Sequence, residues 1–304
     1  MRIAIIGLGG VGGYYGGLLA RDGHEVFAYA RGAQLDAVKA HGLEIRSAAG
    51  GWTAQMTASN DAAELASSFT PNDFAIVAVK AYSLPEVAPA LRAFAQKEAT
   101  LLPLLNGVDA AERLTALGVE RDRILGGLTY LSAAKVAPGV IERRSPFHRI
   151  QVGEFSGRKS ERAQRITAAF VKAGVEAKVA DDITLALWQK FVFLSTISTA
   201  CGLVRAPIGG VRESERGRSL VEEALREVLA VADARGVRFG GDEYERVMGL
   251  INSLPAEMRP SLLLDVESGA RTEVEVLSGT IARFGDEAGI DTPVHDRALA
   301  SFRQ

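Results

Sequence analysis

Arg2-Ile3-Ala4-Ile5-Ile6-Gly7-Leu8-Gly9-Gly10-Val11-Gly12 is the stretch that decides the fold. Its first five residues form the short apolar run that a parallel strand buried on both faces requires. The next six contain G-x-G-x-x-G at Gly7, Gly9 and Gly12. Tyr14, Leu18 and Leu19 follow at helical spacing, and Asp22-Gly23 ends that pattern. A second strand-like run, Glu25-Val26-Phe27-Ala28-Tyr29-Ala30, leads to Arg31. In a chain with 32 glycines the motif alone is weak evidence. Strand, motif, helix and second strand within about thirty residues form a dinucleotide-binding βαβ unit.

Each glycine has a physical role in that unit. Gly7 permits the tight turn, Gly9 lets the backbone approach a pyrophosphate, and Gly12 lets the helix pack closely on the strand. The phosphates then meet the unpaired N–H groups of the helix N-terminus. The end of the second strand selects the dinucleotide. NAD-binding versions place an acid there for the ribose 2′-hydroxyl, whereas this strand ends Ala30-Arg31 and the next acid, Asp36, falls inside a helical pattern. A guanidinium holds a 2′-phosphate that a carboxylate would repel. NADP is therefore the expected cofactor; the competing reading of Arg31 is a solvated loop arginine.

A length of 304 residues suggests two domains, and 47% hydrophobic with 24% charged residues is an ordinary globular composition. A net charge of −2 gives no reason to expect nucleic acid or an anionic membrane as partner. No secretory leader is evident, and no apolar run reaches membrane-spanning length without polar interruption. The single cysteine, Cys201, excludes an internal disulfide and suits a reducing compartment, so a cytoplasmic location is expected. Cys201 itself reads as a small core residue. The four histidines lack metal-ligand spacing.

Strand–helix alternation continues to about residue 180. Residues 73–79 read as a buried strand ending at Lys80, and 83–96 as a helix. Residues 100–105 read as a strand ending at Asn106-Gly107. In a doubly wound sheet ligands lie beyond the carboxyl ends of the strands, which raises Lys80 and Asn106 as candidates. Residues 52–57 and 124–154 suggest added antiparallel strands flanking the parallel sheet. The fold class is thus an α/β dinucleotide-binding domain over 1–180, followed by an all-α domain over 181–304. In the second half, helices are expected at 183–203, 213–235, 242–253, 261–268 and 271–288, with Gly289 as the last stop. The helix at 183–203 is apolar on every side, as a buried helix is. After Asp182 its only full charge is Lys190. A buried ammonium has its pKa pulled toward neutrality and can protonate a developing alkoxide. A lysine snorkelling from the helix flank fits the periodicity equally well. Glu273 and Glu275 read as solvated carboxylates by periodicity alone.

The chain resembles the ketopantoate reductases (2-dehydropantoate 2-reductases) over nearly its whole length. The likeness rests on the Gly7–Gly12 stretch, Tyr29-Ala30-Arg31, Val77-Ala78-Val79-Lys80-Ala81, Leu104-Leu105-Asn106-Gly107-Val108, Leu187-Trp188-Gln189-Lys190 and Arg271-Thr272-Glu273. It implies a Rossmann domain, a helical domain like the C-terminal part of 6-phosphogluconate dehydrogenase, and an active site in the cleft between them. It further implies NADPH-dependent reduction of ketopantoate on the route to pantothenate and coenzyme A. By position, Lys190 matches the proton donor, with Glu273 as its catalytic companion. Gly7, Leu8, Gly9, Gly10, Val11, Gly12, Arg31, Lys80, Asn106, Ala133 and Glu273 match cofactor contacts. Asn106, Lys190, Ser198 and Ser261 match substrate contacts, and a small 2-oxo acid is the implied partner, with a homodimer left open. Three family asparagines are replaced, by Leu194, by Ser198 and near Ile208. Those replacements leave another 2-oxo acid open as substrate, and a non-catalytic NADPH sensor as a third reading that the retained Lys190 and Glu273 oppose.

Overall fold

The computed structural model describes residues 1–303, which divide into two compact units. The first comprises Met1–Leu105 and Ala110–Ile183; the second comprises Asn106–Asp109 and the chain from Thr184 on. The loop carrying Asn106 thus belongs to the second unit.

In the first unit, β1 (Arg2–Ile6) lies at the middle of a five-stranded sheet. Its neighbours are β2 (Glu25–Tyr29) with β5 (Thr57–Ser59) on one side, and β6 (Phe74–Val77) with β7 (Thr100–Pro103) on the other. Every pair in this sheet is parallel. Ile3–Ile6 of β1 and all of β6 and β7 are buried, as strands covered on both faces are, whereas β2 buries only Val26 and Ala28. The first crossover is α1 (Gly10–Arg21), whose sequence GVGGYYGG carries two small-residue stripes. A Cβ at Gly12 would lie 2.1 Å from the Gly7 carbonyl oxygen, and one at Gly16 2.9 Å from Ile5. Gly13 and Gly17 similarly face Ile141 and Ile45, at 2.7 and 2.8 Å from a built Cβ. One stripe therefore seats the helix on the parallel sheet and the other on a second sheet. Parallel-sheet crossovers also include α2 (Gly32–His41), α3 (Ala62–Ala66) and α4 (Leu84–Gln96).

The second sheet has the order β4-β3-β10-β9, formed by β3 (Leu43–Ser47), β4 (Gly50–Ala54), β9 (Ala133–Ala137) and β10 (Val140–Arg143). After α5 (Ala110–Ala116), β8 (Gly126–Tyr130), β11 (Arg149–Gly153) and β12 (Glu176–Val179) make a third sheet, with α6 (Glu161–Lys172) packed beside it. The expected antiparallel additions are present as the pairs β3–β4, β9–β10 and β8–β11, but they build these two sheets rather than extending the parallel one. Within them β3–β10 and β11–β12 pair in parallel. The reason is long-range pairing: β3 meets a strand almost a hundred residues later, which no local pattern encodes.

The second unit is helical: α7 (Ile183–Val204), α8 (Ile208–Glu213), α9 (Glu215–Ala234), α10 (Glu243–Ser253), α11 (Ser261–Ser268), α12 (Ser278–Ala288) and α13 (Pro293–Phe302). By length and apolarity α7 would pass for a membrane span, but 61% of its most apolar window is buried inside the protein. Its buried residues, Trp188, Phe191, Val192, Ile197 and Cys201 among them, belong to the core of this unit. Burial pushes the Cys201 thiol up to about 12, so it is an inert core group.

Three helix expectations need correction. The run 213–235 breaks at Ser214, whose hydroxyl accepts from the Gly217 N–H at 3.0 Å and caps α9. The run 271–288 is helical only from Ser278, so Arg271, Thr272 and Glu273 lie in a non-helical approach. Gly289 is not the last stop, because α13 follows. Pro293 opens α13, and the Glu227 carboxylate of α9 accepts from the N–H groups of Val294 (2.8 Å) and His295 (3.1 Å). The same carboxylate lies 2.6 Å from His295 Nδ1, and Ser195 Oγ lies 3.2 Å from Nε2. That is the hydrogen-bond order of a hydrolytic triad, but Ser195 and His295 are both 0% exposed. The group is a buried tie between helices.

Candidate active site

In the first unit the glycine loop forms a cradle. Gly7 has φ +103°, and a Cβ there would stand 2.8 Å from the Val79 backbone nitrogen, so only glycine fits the turn. At Gly9, the N-cap of α1, a Cβ would meet nothing within 4 Å. This open space in front of a helix N-terminus is what a closely approaching phosphate needs. The first turn of α1 has no acidic residue, and no side chain caps it. Its N–H groups and positive dipole end therefore suit an anion, and the cradle fits a dinucleotide pyrophosphate. Gly10 has the opposite constraint: a Cβ would sit 2.1 Å from the carbonyl oxygen of Ala133. Ala133 thus lies against the cradle, while Leu8 is buried and Val11 partly buried beside it.

Sequence reasoning missed Gln34. Its buried side chain donates to the Leu8 carbonyl at 3.0 Å and accepts from the Gly139 N–H at 2.9 Å. It thereby ties the glycine loop to the β9–β10 turn; a buried amide at the start of a helix was the available signal. Arg31, the N-cap of α2, is half exposed and pairs with Glu86 at 3.1 Å. Lys80 is exposed just past β6.

In the second unit, Lys190 of α7, Asn106 and Glu273 form one chain of contacts. Lys190 Nζ donates to Asn106 Oδ1 at 3.5 Å, and Asn106 Nδ2 donates to Glu273 Oε2 at 3.3 Å. Glu273 is only 6% exposed, so periodicity misjudged it as solvated. The non-helical stretch before α12 turns it inward; Thr272 Oγ1 donates to the Phe302 carbonyl at 3.2 Å and anchors that stretch. Burial lowers the Lys190 pKa to about 8, against the opposing attraction of Glu273. An ammonium with that pKa is charged at neutrality yet gives up its proton readily. The arrangement offers a proton donor, an amide that can both donate and accept, and a carboxylate that can hold a hydroxyl.

The Asn106 loop is held by a second missed residue. Asp109, 1% exposed, accepts from Arg283 Nη2 at 2.8 Å and from Thr280 Oγ1 at 3.4 Å, both on α12. Gly107, at φ +99°, leaves room for Val276, which a built Cβ would approach to 2.8 Å. A carboxylate three residues after Asn106 was the sequence signal.

The remaining expected substrate contacts are not bonded into this chain. Ser198 is 0% exposed and its hydroxyl has no hydrogen-bond partner among the described residues. Ser261 is exposed at the first turn of α11. Leu194 is partly buried against the helical core, and Ile208 lies wholly within it.

Residues 3–157 match the family described as Ketopantoate reductase PanE/ApbA, and residues 182–304 match its C-terminal counterpart. A 2-dehydropantoate 2-reductase of Halobacterium salinarum is 31% identical, covering 97% of this chain and 95% of its own. An uncharacterized oxidoreductase of Bacillus subtilis, YkpB, is 29% identical over 100% of this chain and 98% of its own. Among solved structures, the 2-dehydropantoate 2-reductase of Methylococcus capsulatus superposes with a TM-score of 0.86. It is 28% identical, with 99% of this chain and 95% of that one covered.

Proposed function

Since the chain belongs to the ketopantoate reductase family, an oxidoreductase family using a nicotinamide cofactor on a small keto acid, we propose that it reduces ketopantoate to pantoate with NADPH. The product would serve pantothenate and coenzyme A synthesis. The observation that carries this reading is the Lys190–Asn106–Glu273 chain, with a lysine poised at about 8.

The cradle of Gly7–Gly12 and the α1 N-terminus would hold the pyrophosphate. Arg31 would turn from Glu86 to the 2′-phosphate, and Lys80 and Ala133 would border the cofactor. When bound, the nicotinamide supplies a hydride for the carbonyl carbon. Lys190 polarises the ketone oxygen and donates its proton as negative charge develops there. Asn106 orients the carbonyl and the Lys190 ammonium, and Glu273 accepts from a substrate hydroxyl while its charge keeps Lys190 protonated. Ser261 would contact the far end of the substrate, and Ser198 would follow Lys190 along α7.

Leu194 favours a second reading, a 2-oxo acid with an apolar group at that place. A hydrogen bond forgone there is worth about 0.5–1.5 kcal/mol net, enough to weaken ketopantoate without abolishing hydride transfer. Steady-state oxidation of NADPH and of NADH with ketopantoate and a panel of 2-oxo acids decides among these. Turnover of ketopantoate with a preference for NADPH supports the proposal. Faster turnover of an apolar oxo acid moves it to the second reading, and no turnover of any oxo acid overturns both.

A further inference from the structure

We propose that the first unit carries a second binding site, for a small planar oxyanion, in a groove walled by Tyr14, Arg21, Trp52, Arg143 and His148. The groove has a cavity volume of about 370 Å³, within the range of small-molecule sites. It runs between the later turns of α1, the β3–β4 hairpin, the end of β10 and the residues after α6. The groove follows α1 from Tyr14 to Arg21, about 6 to 16 Å along the helix from Gly10 at 1.5 Å per residue, and none of Gly7–Gly12 lines it, so it is distinct from the dinucleotide cradle.

Its chemistry is one-signed. Two arginines and a histidine line it, and no aspartate or glutamate does. Arg21 stacks over the Trp52 ring, 4.0 Å from its centroid, and Arg143 lies 5.6 Å from the Tyr14 centroid. Neither guanidinium has a carboxylate partner among the described residues. The neighbouring acids are engaged elsewhere: Glu176 pairs with Arg149 at 2.7 Å, and Asp22 with Lys172 at 3.3 Å. Two buried donors, Arg143 Nε and Trp52 Nε1, also lack acceptors among the described residues. Burial and the two arginines hold the His148 pKa below its usual value, which leaves its ring neutral and paired with the Tyr14 hydroxyl at 3.1 Å. Uncompensated guanidiniums and orphaned donors call for an acceptor-rich anion. The Trp52 and Tyr14 walls call for a flat apolar body attached to it. The head group is a phosphate or a carboxylate, the chemistry common to both being a planar-bodied oxyanion.

The test is calorimetric titration of the whole protein, saturated with NADPH, using phenyl phosphate, benzoate and inorganic phosphate as separate probes. One equivalent of phenyl phosphate or benzoate is expected to bind more tightly than inorganic phosphate, and the better of the two identifies the head group. Arg143→Met should weaken that binding about 10–100-fold, the loss of a charge-assisted bond, while Arg31→Ala leaves it unchanged. Arg21→Met, at the exposed end of α1, should weaken it as well and decides the matter should Arg143→Met fail to fold. No saturable heat, binding indifferent to Arg21→Met, or binding displaced by NADPH would overturn the proposal.

Discussion

Replacing Glu273 by glutamine removes the one charge that holds the Lys190 pKa up against burial. Lys190 Nζ and Glu273 Oε2 contact opposite ends of the same amide, at 3.5 and 3.3 Å, which sets the two charges roughly 6 Å apart. At an effective dielectric constant near 20 that attraction is about 3 kcal/mol, equivalent to about two pH units. Solvent reaching the partly exposed Lys190 reduces this to about one to two. The ammonium is the form that donates in the reductive direction, so the rate falls as pH rises through the Lys190 pKa. For the unmodified protein that fall is expected near 8. In Glu273→Gln the midpoint should move down by about one to two units. The assay is kcat for ketopantoate reduction measured across the neutral and alkaline range for both proteins. A lower plateau in the variant is expected from the lost substrate contact and is not diagnostic. A midpoint that stays put or moves upward would refute the coupling.

The other expectations are simpler. Arg31→Ala should weaken NADPH binding about 10–100-fold and leave NADH unchanged, as read by fluorescence titration; equal effects on both would make Arg31 a surface arginine paired with Glu86. Leu194→Asn should lower KM for ketopantoate or leave it unchanged, and a clear loss of activity would instead favour a substrate with an apolar group. Asp109→Asn should destabilise the second unit by about 1–3 kcal/mol, because the Arg283 bond loses its charge. It should also lower kcat through the loosened Asn106 loop, and a thermal shift without any change in kcat would make Asp109 purely structural.

Local pattern carried the first thirty residues because strand, glycine spacing and helix all lie within one crossover. The lone charge in the apolar α7 likewise pointed to Lys190, and the family resemblance tilted it from flank to site. Glu273 was hidden because its burial depends on a non-helical stretch anchored to Phe302, thirty residues away. The last helix was hidden for the same kind of reason: its cap is Glu227, 67 residues earlier. Gln34 and Asp109 act on backbone or side chains far along the chain, at separations of 105 and 174 residues. Periodicity cannot see such partners. The added strands at 52–57 and 124–154 were legible, but their assembly into two separate sheets was not, because β3–β10 joins segments almost a hundred residues apart.

The central claim is that Lys190 protonates the ketone oxygen. Its most direct test is Lys190→Met, with kcat and NADPH affinity measured on the same preparation. General acid catalysis contributes about 10²–10⁴-fold, so kcat should fall by that order. NADPH affinity should stay within about twofold, because the Gly7–Gly12 cradle and Arg31 belong to the first unit and Lys190 to the second. The alkaline fall near 8 should also vanish from what activity remains. Near-normal kcat with collapsed NADPH binding would contradict the account, making Lys190 a cofactor contact and leaving the proton to another donor.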